Sequence, residues 1–101
     1  EYHQAEELLD VYHSRQPTEN ELEQIKNIFL LMQNSHISHG DLKAQNLLVD
    51  DKGKVVLIDL DAMQEHTSYL AFQRAFNKDK KRFVRNWQDM KIKETFTSLI
   101  F

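Results

Sequence analysis

The 101-residue chain has no cysteine, a single proline (Pro17) and two glycines, Gly40 and Gly53. Without cysteine there is no disulfide framework and no thiolate metal site, which is compatible with a reducing compartment. So little proline and glycine points to long regular elements and few tight turns. No apolar run approaches the roughly 20 residues that a membrane span requires. The opening "EYHQAEE" is polar and has none of the character of a signal peptide. An initiator methionine is also lacking, so the sequence is expected to be a fragment of something longer.

What is present is the material of one small domain. With 41% hydrophobic and 29% charged residues, the chain can bury a modest core. Charge is unevenly spread. Residues 1–51 carry ten acids against Arg15, Lys26 and Lys43, a net of −7, whereas residues 52–101 carry ten bases against six acids, a net of +4. Nothing in this balance calls for a nucleic-acid partner. The tightest basic cluster is "NKDKKRFVRNW", with Lys78, Lys80, Lys81, Arg82 and Arg85 against Asp79. Such a cluster can face an anion.

Periodicity predicts a mostly helical α+β domain. Ala5, Leu8, Leu9 and Tyr12 make one apolar stripe, which predicts a helix over 2–14. Pro17 breaks it. Thr18 and Glu21 then have the spacing of a capping box, opening a second helix over about 18–34. Leu22, Ile25, Phe29 and Met32 form its main stripe. Ile28, Leu30 and Leu31 widen that stripe, so burial on several sides is expected. "NLLV" and "KVVLID" flank "DDKG", in which Gly53 can take positive φ, and together they predict a β-hairpin. Val55 to Ile58 are all apolar, so both faces of that strand are expected to be covered. Helical spacing returns over 68–88, with Phe72, Phe76, Phe83, Val84 and Trp87 on one face, and weakly over 89–100. There are no repeats or low-complexity linkers.

Two carboxylates stand where charge is costly. Asp59 follows four apolar residues, near a low-dielectric interior unless it marks the exit of the strand into water. Asp61 points the same way as Asp59 if the extended geometry persists. In "HGDLKAQN", His39 to Asn46, a lone Asp41 would be read as a loop residue bonded to its own backbone. Zinc is not supported, because His39 and Asp41 have no further ligands at metal spacing. His3, His13, His36 and His66 have no supporting context and default to the surface.

Spacing changes the weight of these residues. Asn46 lies five residues after Asp41, and Asp59 lies eighteen after it. A helix precedes the group, a hairpin joins Asn46 to Asp59, and Asp59 closes the second strand. "HGDLKAQN" resembles the H-R-D-L-x-x-x-N signature of the protein-kinase-like fold, and "IDLD" stands where D-F-G usually does. The resemblance implies that the chain is part of the C-terminal lobe of that fold. Residues 1–35 would be two helices, 36–46 the catalytic loop, 47–61 the hairpin and metal-binding segment, and 67–101 further helices. It implies ATP and Mg2+ as cofactors. Asp41 would accept or orient the proton of an acceptor hydroxyl, and Lys43 would reach the γ-phosphate. Asn46 and Asp59, with Asp61 as a further candidate, would ligate Mg2+. His39 would pack beneath the loop as a structural residue.

The departures narrow the resemblance. Gly40 replaces the arginine that pairs with a phosphorylated activation loop, and no A-P-E follows Asp59. "SHGDLKAQNLLV", "VVLIDLDAM" and "KKRFVRNW" are similar to the bacterial lipopolysaccharide core kinases, the Kdo and heptose kinases with the toluene-tolerance proteins. That similarity implies a core-sugar hydroxyl as acceptor, handled in the cytoplasm at the inner face of the inner membrane. The basic helix 78–85 could then meet anionic sugars or headgroups peripherally. The simpler expectation is that its Lys and Arg residues form a solvated outer face while Phe83, Val84 and Trp87 face the core. No Gly-rich loop or strand lysine matches the N-terminal lobe, which is expected to be absent from these residues. The stretch alone is therefore expected to be inactive. A small-molecule or protein kinase of the same fold, and a non-catalytic kinase-like binding module, are the alternatives.

Overall fold

The structure, a computed structural model, describes residues 5–101. It is α+β and mostly helical, with two small antiparallel sheets. Strand β1 (Ala5–Glu7) leads into a single helical turn, α1 (Leu8–Val11). Helix α2 (Glu19–Ser35) follows, then β2 (Ile37–Ser38), β3 (Leu47–Asp50), β4 (Val55–Leu57) and β5 (Gln64–Glu65). Helices α3 (Tyr69–Arg85) and α4 (Met90–Ile100) close the chain. One sheet has the order β1-β3-β4 and the other pairs β2 with β5.

The first segment departs from its helical pattern. Residues 2–4 and His3 lie outside the described residues. Ala5 to Glu7 are extended and pair antiparallel with Asp50 to Leu48 at the edge of the hairpin. Strand pairing supplies backbone hydrogen bonds that a short helix end could not, and tertiary context overrides a weak local preference. Only Leu8 and Tyr12 of the expected stripe are buried, while Ala5 is exposed.

Helix α2 begins where its sequence says. Thr18 Oγ1 accepts from the Glu21 N–H, and the Glu21 carboxylate accepts from the Thr18 N–H, so two otherwise unpaired donors are satisfied. Glu21 is buried, yet Arg15 donates to both of its oxygens and the Tyr12 hydroxyl donates to one. Burial opposes its ionisation, but these hydrogen bonds outweigh burial and hold the carboxyl at about 2. Ile25, Phe29 and Met32 face the core, which continues through Phe72, Phe76, Phe83, Trp87, Ile92 and Phe96. Leu30 and Leu31, expected to be covered, are exposed.

The hairpin pairs Leu47 with Leu57 and Val49 with Val55. Helix α2 clamps its turn: Gln24 donates to the Gly53 carbonyl at 2.7 Å and accepts from the Val55 N–H at 2.8 Å. The hairpin alternates, with Leu47, Val49 and Val55 buried and Val56 and Ile58 exposed. The expectation that both faces are covered is therefore corrected. The outer face, with Ile28, Leu31 and Met63, lines an open apolar groove of about 470 Å³. Residues 89–100, weakly helical by pattern, hold the regular helix α4 because Asp89 caps it, accepting from the Lys91 and Ile92 N–H groups.

Candidate active site

The loop from His39 to Asn46 connects β2 to the hairpin, and it is fastened on two sides. On the hairpin side, the buried His39 ring meets the Ile58 carbonyl through Nε2 at 3.1 Å and the Asp41 N–H through Nδ1 at 3.2 Å. A carbonyl can only accept and an N–H can only donate. His39 is therefore the neutral tautomer protonated on Nε2. The Ile58 N–H in turn donates to the Asn46 carbonyl at 2.8 Å, which sets the chain entering Asp59 beside Asn46.

On the other side stands α3. Asp79 accepts from the His39 N–H at 2.7 Å and from the Gly40 N–H at 3.2 Å, and Asn86 accepts from the Ala44 N–H at 2.8 Å. Asp79 is buried, and burial raises its pKa against the opposing pull of those loop amides. Asp79 and Asn86 were not among the residues singled out from the sequence. A signal existed for Asp79. It falls at the helical register of Phe72, Phe76 and Phe83, so a charge there had to enter the core and find partners.

Asp41 lies at the mouth of the loop, about a third exposed. One oxygen is 3.2 Å from Arg82 Nη2 and the other 3.7 Å from Lys43 Nζ. Arg82 is exposed, as expected of the outer face of the basic helix, and its guanidinium also reaches the loop. Lys80 leaves that face, resting over the rings of Phe76 and Phe101, while Lys78, Lys81 and Arg85 are exposed as expected. Asn46 is buried, and its Nδ2 donates to the Asp41 carbonyl at 2.7 Å. That bond uses the amide nitrogen, and the side-chain oxygen is the atom that could meet a cation.

Asp59 does not sit at a low-dielectric strand end. The strand stops at Leu57, and Asp59 is exposed in the left-handed region with φ 62° and ψ 63°. Asp tolerates that region better than most residues. The backbone then enters a 3-10 turn, Leu60–Ala62, so the alternation expected to aim Asp61 with Asp59 is lost. Asp61 is exposed on that turn. Gly40 explains why a side chain is absent from position 40. Its φ is +91°, and a Cβ there would stand 2.7 Å from the Ala62 carbonyl oxygen and 2.8 Å from the Ala62 Cβ. His66 is half-buried, its Nε2 2.8 Å from Ser38 Oγ, whereas His13 and His36 are exposed.

These donors suit a magnesium–nucleotide pair better than a caged metal. Among the described residues no cluster of three or more His, Cys, Asp or Glu could hold a metal. Asn46 and Asp59 instead offer two hard oxygen donors, and among the described residues Asp59 forms no ion pair. Mg2+ is commonly held in this way, with phosphate and water completing its shell.

The loop is thus anchored on two sides, with a carboxylate at its mouth and the oxygen donors Asn46 and Asp59 at the two ends of the hairpin. The chain belongs to the lipopolysaccharide kinase (Kdo/WaaP) family, whose family model matches residues 2–98. A 3-deoxy-D-manno-octulosonic acid kinase from Vibrio parahaemolyticus serotype O3:K6 (strain RIMD 2210633) is 28% identical over 92 residues, covering 84% of this chain and 39% of that protein. The chain thus spans about two fifths of the length of this curated relative. No solved structure matches.

Proposed function

We propose that these residues are the catalytic segment of an ATP-dependent kinase that phosphorylates a hydroxyl of a lipopolysaccharide core sugar. The fold would be the corresponding part of the C-terminal lobe of a protein-kinase-like domain. One observation carries the reading: the loop bearing Asp41 and the turn bearing Asp59 are tied together through Asn46, His39 and Ile58. Phosphoryl transfer needs such positioning more than covalent chemistry.

In this reading Asp41 accepts the proton of the acceptor hydroxyl as its oxygen bonds to the γ-phosphorus and the bond to ADP breaks. Lys43 leaves Asp41 to offset charge on the transferred group. Asn46 and Asp59 would hold Mg2+, which would neutralise the donor phosphates. His39 supports the loop and touches no substrate. Catalysis would take place in the cytoplasm, at the inner face of the inner membrane where the acceptor is lipid-linked. In this reading contact with the bilayer would be peripheral, and no helix among the described residues is long and apolar enough to cross a membrane. Both glycines are used elsewhere, at Gly40 and Gly53, so these residues include no Gly-rich phosphate loop. The 101-residue stretch by itself is expected to transfer phosphate weakly or not at all.

The test is Asp41→Asn in the full-length protein, with γ-labelled ATP and a lipopolysaccharide-core acceptor. Transfer should fall by roughly 10²- to 10⁴-fold, the usual contribution of a positioned base. The circular dichroism spectrum should stay unchanged. Undiminished transfer by the variant would overturn the reading.

A further inference from the structure

Arg82 occupies a position that neither the catalytic loop motif nor a solvated helix face accounts for. Positions 79 and 82 of α3 and its C-cap, position 86, fall at i, i+3 and i+7, on one side of the helix. Asp79 and Asn86 hold loop amides, and Arg82, between them, faces the Asp41 carboxylate. The loop therefore lies between two elements with different equipment. The hairpin side carries the oxygen donors Asn46 and Asp59. The α3 side carries a guanidinium, with Lys78 and Arg85 exposed on the flanking turns.

The contact between Arg82 and Asp41 is an ion pair without a directed hydrogen bond. Arg82 forms no hydrogen bond among the described residues, and its side chain is 45% exposed. An exposed pair of this kind contributes about 0–1 kcal/mol, so it is readily exchanged for a better partner. A guanidinium with uncommitted donors is suited to a planar anion, which it can grip through two parallel N–H···O bonds.

We infer that Arg82 is a specificity residue that receives the carboxylate of an acidic sugar acceptor and gives up Asp41 when it does so. The inference deepens the proposed function and rests on it for the identity of the acceptor. In-line transfer puts the incoming hydroxyl and the departing ADP on opposite sides of the phosphorus. The hairpin side is suited to the donor phosphates and their cation. The α3 side is left for the acceptor, and Arg82 is the cation there that touches Asp41. Exchange of partners on Arg82 would free the Asp41 oxygen that faces it at the moment the acceptor hydroxyl needs it. An acceptor without the anion would leave that oxygen paired.

The experiment has two arms on the full-length protein and its Arg82→Gln and Arg82→Lys variants. In the first, 3-deoxy-D-manno-octulosonic acid and its carboxyl-reduced alcohol are titrated separately, with binding followed by NMR. The wild type should favour the acid. Arg82→Gln should weaken binding of the acid by roughly 10- to 100-fold and leave the alcohol unchanged. Arg82→Lys, which keeps the charge but not the fork, should recover part of the loss. Equal binding of acid and alcohol by the wild type, or equal binding of the acid by wild type and Arg82→Gln, would overturn the inference.

The second arm measures phosphoryl transfer. Arg82→Gln should raise KM for the acidic acceptor and leave KM for ATP unchanged. A rise confined to ATP would place the guanidinium on the donor and overturn the inference. Arg82-dependent binding without any transfer by the wild type would remove the kinase reading and keep the carboxylate site. Transfer with Arg82-independent binding would do the reverse.

Discussion

Two carboxylates are buried to the same degree in this protein, each 3% exposed, and they are treated in opposite ways. Glu21, at the start of α2, is met by a guanidinium, a hydroxyl and a backbone amide, and its carboxyl is held at about 2. Asp79, under the His39–Asn46 loop, is met by the amides of His39 and Gly40, and among the described residues no lysine or arginine pairs with it. Its pKa is raised. The difference separates two uses of a buried charge. Glu21 ties α2 to the chain before it, with partners that match its charge. Asp79 retains part of its desolvation cost, and in return orients two consecutive amides of the loop that carries Asp41.

The sharpest way to break the comparison is Asp79→Ala. It would strand two inward-facing amides, each costing about 1–3 kcal/mol, so a loss of roughly 2–6 kcal/mol is expected in chemical denaturation. Amide exchange at His39 and Gly40 should accelerate with it. Glu21→Gln should cost somewhat less, about 1–3 kcal/mol, because half-exposed Arg15 can return to water.

The pH dependences should then have opposite signs. A depressed folded pKa means that Glu21 contributes stability above its unfolded value of about 4.5, and that this is lost as the pH falls toward about 2. A raised folded pKa means that Asp79 favours the folded state more as it protonates, and that this contribution is lost as the pH rises through that pKa. Glu21→Gln should therefore flatten the acid limb of a stability–pH curve, and Asp79→Asn should steepen it. Thr18→Ala should have the smallest effect, about 1 kcal/mol, because it removes one cap bond and leaves Arg15 on Glu21. A loss there equal to that of Glu21→Gln would show that the carboxylate acts mainly as a cap.

Sequence reading went furthest where partners are close along the chain. Thr18 and Glu21 are three residues apart, the hairpin strands flank a four-residue turn, and the eighteen-residue interval from Asp41 to Asp59 encloses that hairpin. Each is a local geometry that residue type and spacing determine. Reading failed where a partner is distant. Ala5 to Glu7 carry a helical stripe, but they pair with β3 more than 40 residues on. Asp79 and Arg82 lie inside a run of bases that reads as a solvated face, and their partners on the loop are about 40 residues earlier. The apolar run Val55–Ile58 reads as a strand buried on both sides. Composition alone does not say that one side opens onto a groove.

Gly40 and Ala62 touch across the loop and the turn that follows Asp59. With no room between them, the two positions form one steric unit: a side chain at 40 requires the turn at 62 to withdraw, and the turn carries Asp59 with it. The segment that bears Asp41 and the segment that bears Asp59 are therefore constrained as a pair, and in related chains a larger residue at one position should appear only with a rearranged turn at the other.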